Sequence, residues 1–181
     1  MEFRTKVELP IGECEIRHDS LIMSWGSCFA DNISRKLIDN KFSCDANPFG
    51  VLYNPLSVAQ SLQTLLHERY YTENDLQYAN GQWFSLMHHG SFSSADKDEC
   101  LNGINERIRL GAANLRKARI AIITWGTARV YEWSADGSIV GNCHKLPEKM
   151  FGRRLLDVDE IVEKYVSLIS EILNCNPDLH F

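Results

Sequence analysis

Apolar positions in this chain alternate between short runs, which are typical of buried strands, and four-residue repeats, which are typical of helices. Residues 21–23 form one such run and predict a strand. Directly after Gly26, the residues Phe29, Ile33 and Leu37 recur every four positions and predict a helix. The first strand and the first helix are therefore joined by a very short connection around Gly26.

Helix-capping residues mark where three further helices begin. An Asn or Asp at the N-cap satisfies a free backbone N–H, and Pro at the first helical position or Glu three residues later strengthens the signal. The pairs that show it are Asn54 with Pro55, Asp96 with Glu99, and Asp157 with Glu160. We expect helices to start at these points, each with an apolar face turned to a core.

The remaining apolar stretches predict strands and hairpins. The run in RIAIITWGT (residues 119–127) is typical of a central parallel strand covered on both faces. A further strand is expected around Phe42, hairpin turns at Asn80-Gly81 and Asp136-Gly137, and the start of a last strand at 179–181. Strands that alternate with helices predict one α/β domain over residues 1–181, a sandwich around a mostly parallel sheet that stops unfinished.

The unfinished sheet has a consequence for the last predicted helix, at residues 157–173. Its core positions include Ile161, Tyr165, Leu168 and Ile172. If no further strand follows, we expect part of this face to be exposed or to be buried against a second copy of the chain. A homo-oligomer that covers the incomplete sheet is therefore among the expected partners.

Composition and charge narrow the other partners. The chain has 181 residues, 44% of them hydrophobic, and a net charge of −5, values that are ordinary for one globular domain. It has no basic stripe, which argues against nucleic acid. It has no run near the roughly 20 apolar residues that cross a bilayer, which argues against a membrane. The first residues, MEFRTKVELP, lack the apolar core of a signal peptide, so we expect a cytoplasmic location.

The six cysteines do not form a disulfide or zinc pattern. They stand at positions 14, 28, 44, 100, 143 and 175 without a CxxC pair, so we expect free thiols, most of them buried. Cys143-His144 and His88-His89 are each a single neighbouring pair, whereas zinc sites usually pair nearby ligands twice. The sequence therefore predicts no metal.

Two predicted strand ends carry small polar residues, Gly26-Ser27-Cys28 and Gly126-Thr127. Ligands of open α/β sheets gather at the carboxyl ends of the strands. Ser27 or Cys28 would lie at a helix N-terminus, where free N–H groups and the helix dipole favour negative charge and a developing oxyanion. The alternative is structural, because serine is a common N-cap and a cysteine at such a junction is often only packed.

Five blocks of sequence resemble one bacterial family. They are GSCFA at 26–30, NPFGVLYNP at 47–55, HHGSF at 88–92, ITWGTARVYE at 123–132 and NCHKLP at 142–147, in that family's order. Most of the chain is thereby similar to the GSCFA family, which resembles the SGNH (GDSL-like) hydrolases. The resemblance implies a flavodoxin-like three-layer α/β/α sandwich that acts on acyl esters, for example an acylated carbohydrate, without a cofactor.

The resemblance also implies roles for particular residues. The family's serine chemistry favours Ser27 as the nucleophile, whereas the spacing from the glycine favours Cys28, and both stay open. Gly50 matches the glycine of the oxyanion hole, with a turn glycine as the alternative. Gly126 fits the start of the third block.

That third block departs from the SGNH pattern at its asparagine. Ala128 stands where the asparagine of the oxyanion hole belongs. The nearest substitute is Asn142, which the second predicted hairpin brings back toward the same strand end. Gly50, Gly126 and Asn142 are therefore the expected binding residues beside the nucleophile.

The general base is missing from the pattern. SGNH hydrolases carry it as the histidine of a D-x-x-H motif near the C-terminus, and this chain contains no such motif. We therefore expect the C-terminal His-Asp segment to be absent, with His88, His89 and His144 as the remaining pocket histidines. Two functions stay open: an acyl-ester hydrolase or acyltransferase acting on a small-molecule or carbohydrate ester, and a non-catalytic binding module on the same scaffold.

Overall fold

The computed structural model describes residues 15–181 as an alternation of strands and helices. The strands are β1 (Ile22–Trp25), β2 (Cys44–Ala46), β3 (Gln77–Ala79), β4 (Gln82–Phe84), β5 (Ile120–Ile123), β6 (Arg129–Trp133), β7 (Ile139–Val140) and β8 (Phe151–Leu155). The helices are α1 (Cys28–Asp39), α2 (Pro55–Leu66), α3 (Lys97–Leu115) and α4 (Val158–Cys175). The predicted α/β class is confirmed, and the capping residues Asn54, Asp96 and Asp157 each accept a backbone N–H bond at the start of α2, α3 and α4.

A parallel sheet of order β2-β1-β5 forms the centre of the fold. Ile22 of β1 lies opposite Cys44 on one side and Ile120 on the other. At the outer edge of β5, Ile120 forms a parallel bridge with His180, and the Ala121 N–H donates to the His180 carbonyl at 2.8 Å. The predicted strand start at 179–181 is therefore present, and the carboxyl ends of β1, β2 and β5 lie at one edge of the sheet.

Helices cover both faces of this sheet. Because side chains alternate along a strand, Ser24 and Trp25 point to opposite faces. Ser24 hydrogen-bonds Ser34 of α1 at 2.6 Å, whereas the Trp25 indole N–H donates to Ser61 of α2 at 3.3 Å. On the α2 side the buried core also holds side chains of α3 and α4, such as Ile108 and Ile172. The result is a three-layer sandwich, while a flavodoxin-like strand order stays a prediction.

Helix α1 begins where the repeat predicted it, and small residues form its inner face. Phe29 is 60% exposed, and the buried residues of α1 are Ala30 and Ser34. Two small residues let the helix approach β1 closely, and Ile33 and Leu37 lie only half-buried at its flank. The predicted helix is therefore present, and Phe29, the first residue of the repeat, lies on its exposed side.

Helix α4 buries most of its predicted face with residues of the same chain. Tyr165, Leu168 and Ile172 are buried, and Ile161 is only partly exposed. The exposed apolar residues of α4 are Val158, Val162 and Val166, which lie beside the buried face and line one cavity with Ile161 and Tyr165. The homo-oligomer stays a prediction.

A second, antiparallel sheet follows the parallel one, with the order β7-β6-β8. The β6–β7 hairpin turns at the predicted Asp136-Gly137, and β8 pairs along the other side of β6. The β3–β4 hairpin turns at Asn80-Gly81, as predicted. None of the helices in residues 15–181 is long and apolar enough to cross a membrane.

The five cysteines within the described residues are free thiols, as expected, but the expectation that most are buried is wrong. Cys100 alone among them is buried, and Cys28 and Cys175 are exposed because they lie at the termini of α1 and α4. Cys14 lies outside the described residues.

Candidate active site

Ser27 and Cys28 lie at the junction between β1 and α1, at the carboxyl edge of the parallel sheet. Ser27 is the N-cap of α1, and its Oγ accepts the Phe29 N–H at 3.3 Å. Cys28 is the first residue of the helix, and it is exposed. Both side chains therefore stand at the positive end of the α1 dipole.

Gly26 makes this junction sterically feasible. Its φ is +153°, and a Cβ at this position would lie 2.1 Å from Oγ1 of Thr124, at the end of β5. The Gly26 carbonyl also accepts the Leu52 N–H at 2.9 Å. Only a residue without a side chain lets the chain turn from β1 into α1 against the end of β5.

Asn47 holds the junction from the neighbouring strand end, a role that the sequence interpretation missed. Its Oδ1 accepts the buried Gly26 N–H at 2.9 Å, and its Nδ2 donates to Asp31 of α1 at 3.1 Å. Asn47 itself is buried and has a φ of 44°, a conformation that asparagine tolerates better than most residues. An Asn-Pro pair in a turn-rich block was the available signal, but it does not reveal which atoms the side chain bonds.

Gly50 closes the tight turn that follows Asn47. Its φ is +77°, and a Cβ there would lie 2.2 Å from Cβ of His89. Its N–H donates to the Asn47 carbonyl at 2.7 Å, so the turn already uses this donor. Gly50 is a turn glycine in this structure, and its role as an oxyanion donor stays a prediction.

Gly126, after the end of β5, lies close to the junction between β1 and α1. A Cβ at Gly126 would lie 3.9 Å from Cβ of Ser27. The N–H groups of Gly126 and Thr127 both donate to the Tyr53 carbonyl, at 2.9 and 3.2 Å. The structure thus brings together the two strand ends that the sequence singled out.

A cavity of about 440 Å³ opens beside these strand ends. We call it the strand-end cavity, and its polar lining residues include Tyr53, Asn54, His89, Thr127, Arg129 and Asn142. Ser27 adjoins it through Gly126, whose neighbour Thr127 is part of the wall. The wall of this cavity includes Asn142 and His89 but not Ser27, Cys28, Gly50 or Gly126. The expectation that these residues converge on one pocket stays a prediction.

His88 is not available to this cavity. It is buried and stacks on Phe49 with ring centroids 4.1 Å apart, and its Nδ1 lies 3.0 Å from Oγ of Ser85. Burial, with a smaller contribution from nearby His144, lowers the pKa of His88 to about 3. Its Nε2 has no partner in residues 15–181. This histidine is a neutral core residue.

The other two candidate histidines, His144 and His89, also form hydrogen bonds within the chain. His144 Nε2 donates to the carbonyls of Ser85 and His88, at 2.9 and 3.0 Å, and burial lowers its pKa despite these two bonds. His89 is exposed, and its Nδ1 accepts the Ser91 N–H at 3.2 Å, so the neutral ring carries its proton on Nε2. Within the described part of the chain, no cluster of three or more His, Cys, Asp or Glu residues could hold a metal ion.

These features define a class: an α/β protein with a serine and a cysteine at the carboxyl edge of a parallel sheet, beside a polar cavity. The chain belongs to the GSCFA family, whose model matches residues 21–181. No curated protein and no solved structure matches the chain.

Proposed function

We propose that this chain carries the nucleophile and the substrate cavity of an acyl-ester hydrolase or acyltransferase, with an acylated carbohydrate as one substrate class. The observation that supports this most is the position of Ser27 and Cys28. Both stand at a helix N-terminus on the carboxyl edge of the sheet, and Ser27 lies beside Gly126, whose neighbour Thr127 lines the strand-end cavity. This is where ligands of open α/β sheets bind.

The geometry suggests how the reaction would proceed. The Ser27 hydroxyl or the Cys28 thiol adds to the ester carbonyl carbon, and the alcohol leaves with a proton to give an acyl-enzyme. Water or a second alcohol then takes the acyl group. The first turn of α1 has N–H groups without intrahelical partners, and these lie next to the oxyanion that forms. Asn142 Nδ2 is a side-chain amide candidate on the cavity wall, because its Oδ1 already accepts the His144 N–H.

A non-catalytic binding module is the second candidate, and the histidines favour it. Within residues 15–181, no histidine is hydrogen-bonded to Ser27 or Cys28, and both His88 and His144 are engaged elsewhere. Serine is a weak nucleophile without a base, and general-base help is worth roughly 10²–10⁴-fold. Cys28 is less dependent on a base, because a thiol ionises more readily than a hydroxyl.

Release of p-nitrophenolate from p-nitrophenyl acetate separates the two candidates. For residues 1–181 we expect a stoichiometric burst of p-nitrophenolate without sustained turnover. We expect one of the two variants, Cys28→Ala or Ser27→Ala, to lose this burst, and that variant identifies the nucleophile. Cys175→Ala is the matched control, since Cys175 is also an exposed thiol at a helix terminus. A chain that shows no burst, or whose burst survives both Ser27→Ala and Cys28→Ala, would be a binding module or would use another nucleophile.

A further inference from the structure

Four polar side chains on the wall of the strand-end cavity, those of Asn54, His89, Thr127 and Asn142, share one feature: a backbone N–H of the chain already binds an acceptor atom of each. The four bonds are Ser57 N–H to Asn54 Oδ1 at 2.9 Å, Ser91 N–H to His89 Nδ1 at 3.2 Å, Arg129 N–H to Thr127 Oγ1 at 3.0 Å, and His144 N–H to Asn142 Oδ1 at 2.9 Å.

These bonds fix what the four side chains can still offer. An asparagine whose Oδ1 is taken presents its Nδ2 hydrogens, and a histidine whose Nδ1 accepts presents an Nε2–H. A threonine hydroxyl that accepts a backbone N–H keeps its own hydrogen to donate. These four side chains can therefore donate to a ligand in the strand-end cavity, which suits a ligand rich in acceptor oxygens.

Arg129 adds a positive charge to these donors. It lies at the start of β6, where its backbone N–H to Thr127 fixes its place on the cavity wall. Other arginines of the described chain pair with carboxylates, as Arg69 does with Asp75 and Arg154 does with Glu160. The Arg129 guanidinium forms no salt bridge within residues 15–181, and no Asp or Glu lines the cavity.

We propose that the strand-end cavity binds an anionic group of the substrate, a carboxylate or a phosphate, through the Arg129 guanidinium and the surrounding donors. The planar guanidinium matches the two oxygens of either group. The inference rests on the proposed function in one respect, that the anion belongs to the ester attacked at Ser27 or Cys28. Binding of the anion itself requires neither nucleophile nor base.

Titration of the isotope-labelled chain, followed by NMR, tests the proposal with matched esters. Monomethyl succinate carries a carboxylate and dimethyl succinate does not, and methyl phosphate supplies the other anion. A chain that carries both Ser27→Ala and Cys28→Ala is used, so that neither candidate nucleophile consumes a probe. We expect either or both anionic probes to bind at least about tenfold more tightly than dimethyl succinate, with shifts at Thr127 and Asn142. The tighter of the two anions identifies the preferred group.

Arg129→Ala is expected to remove this preference, bringing the anionic probes to the affinity of dimethyl succinate. Arg35→Ala is the control. Arg35 is an exposed arginine on α1 and does not line the cavity, and its substitution changes the net charge by the same amount as Arg129→Ala. Equal binding of anionic and neutral probes, or an equal loss in Arg35→Ala, would overturn the proposal. These titrations need no turnover. A chain that binds anions but shows no acylation would therefore disprove the esterase proposal and leave the anion-binding proposal standing.

Discussion

Replacing Asn47 tests whether its side chain holds the nucleophile junction. Asn47→Ala removes the acceptor of the buried Gly26 N–H and the donor to Asp31, and it leaves an alanine at a φ of 44°. A buried N–H without a partner costs about 1–3 kcal/mol. Alanine in the left-handed region adds about 1 kcal/mol. We expect the free energy of unfolding to fall by roughly 2–4 kcal/mol.

Asn80→Ala separates the two contributions to this loss. Asn80 also has a positive φ, 52°, but it is exposed at the tip of the β3–β4 hairpin. Its replacement should therefore show only the backbone strain, about 1 kcal/mol. Asn47→Gly gives the complementary measurement, because glycine removes the side-chain bonds without adding left-handed strain.

Urea denaturation of the three variants, followed by tryptophan fluorescence, provides the free energies. Trp25 precedes Gly26 and is fully buried, so its signal reports on the same junction. If Asn47→Ala costs no more than Asn80→Ala, within about 0.5 kcal/mol, the bond from Gly26 to Asn47 does not stabilise the junction.

Two further variants test the core around the site. His88 has a folded-state pKa of about 3, below its ordinary value. As the pH falls, His88 therefore takes up a proton in the unfolded chain before it does so in the folded chain. The free energy of unfolding is expected to fall as the pH drops below about 6.5. His88→Phe should keep the stacking on Phe49 and flatten this fall in pH-dependent urea unfolding, and an unchanged slope would contradict the assignment. Asn176 donates through Nδ2 to the carbonyls of Leu115 and Ala118 at 2.9 and 2.8 Å. Asn176→Ala should therefore lower the free energy of unfolding by about 1–3 kcal/mol, whereas the exposed Asn174→Ala should not, and equal losses would show that these bonds are not stabilising.

Local signals in the sequence located most elements of the fold. Capping pairs such as Asp96 with Glu99 act within one helical turn, so the four or five residues around them determine the start of the helix. Hairpin turns such as Asn80-Gly81 are local for the same reason, because both residues adopt a positive φ that few residue types accept.

The features that the sequence did not predict depend on contacts between distant segments. The face that α1 turns to the sheet is set by the space above β1, which admits Ala30 and Ser34 but not Phe29. Strand β8 was not predicted because its sequence, FGRRL, buries only Phe151 and shows no alternation of apolar and polar residues. It is a strand because β6 offers it a hydrogen-bonding edge.

The candidate site shows the same division. The small residues at Gly26-Ser27-Cys28 and Gly126-Thr127 marked two strand ends that the structure brings together, because glycine and serine after an apolar run are visible in the sequence. The bonds that engage His144 with Ser85 and Asn47 with Gly26 span 59 and 21 positions. Such bonds arise from the packing of the loops, and no spacing rule in a single sequence reveals them.

The position of the acyl group after reaction with p-nitrophenyl acetate tests the central claim most directly. The chain is quenched in acid and digested, and its peptides are examined by mass spectrometry. Attack at the β1–α1 junction predicts that the acetyl group is found on Ser27 or Cys28, while the exposed Cys175 stays unmodified. An acetyl group found only on Cys175 or on surface lysines, or no acetylation at all, would contradict the claim that this junction carries the nucleophile.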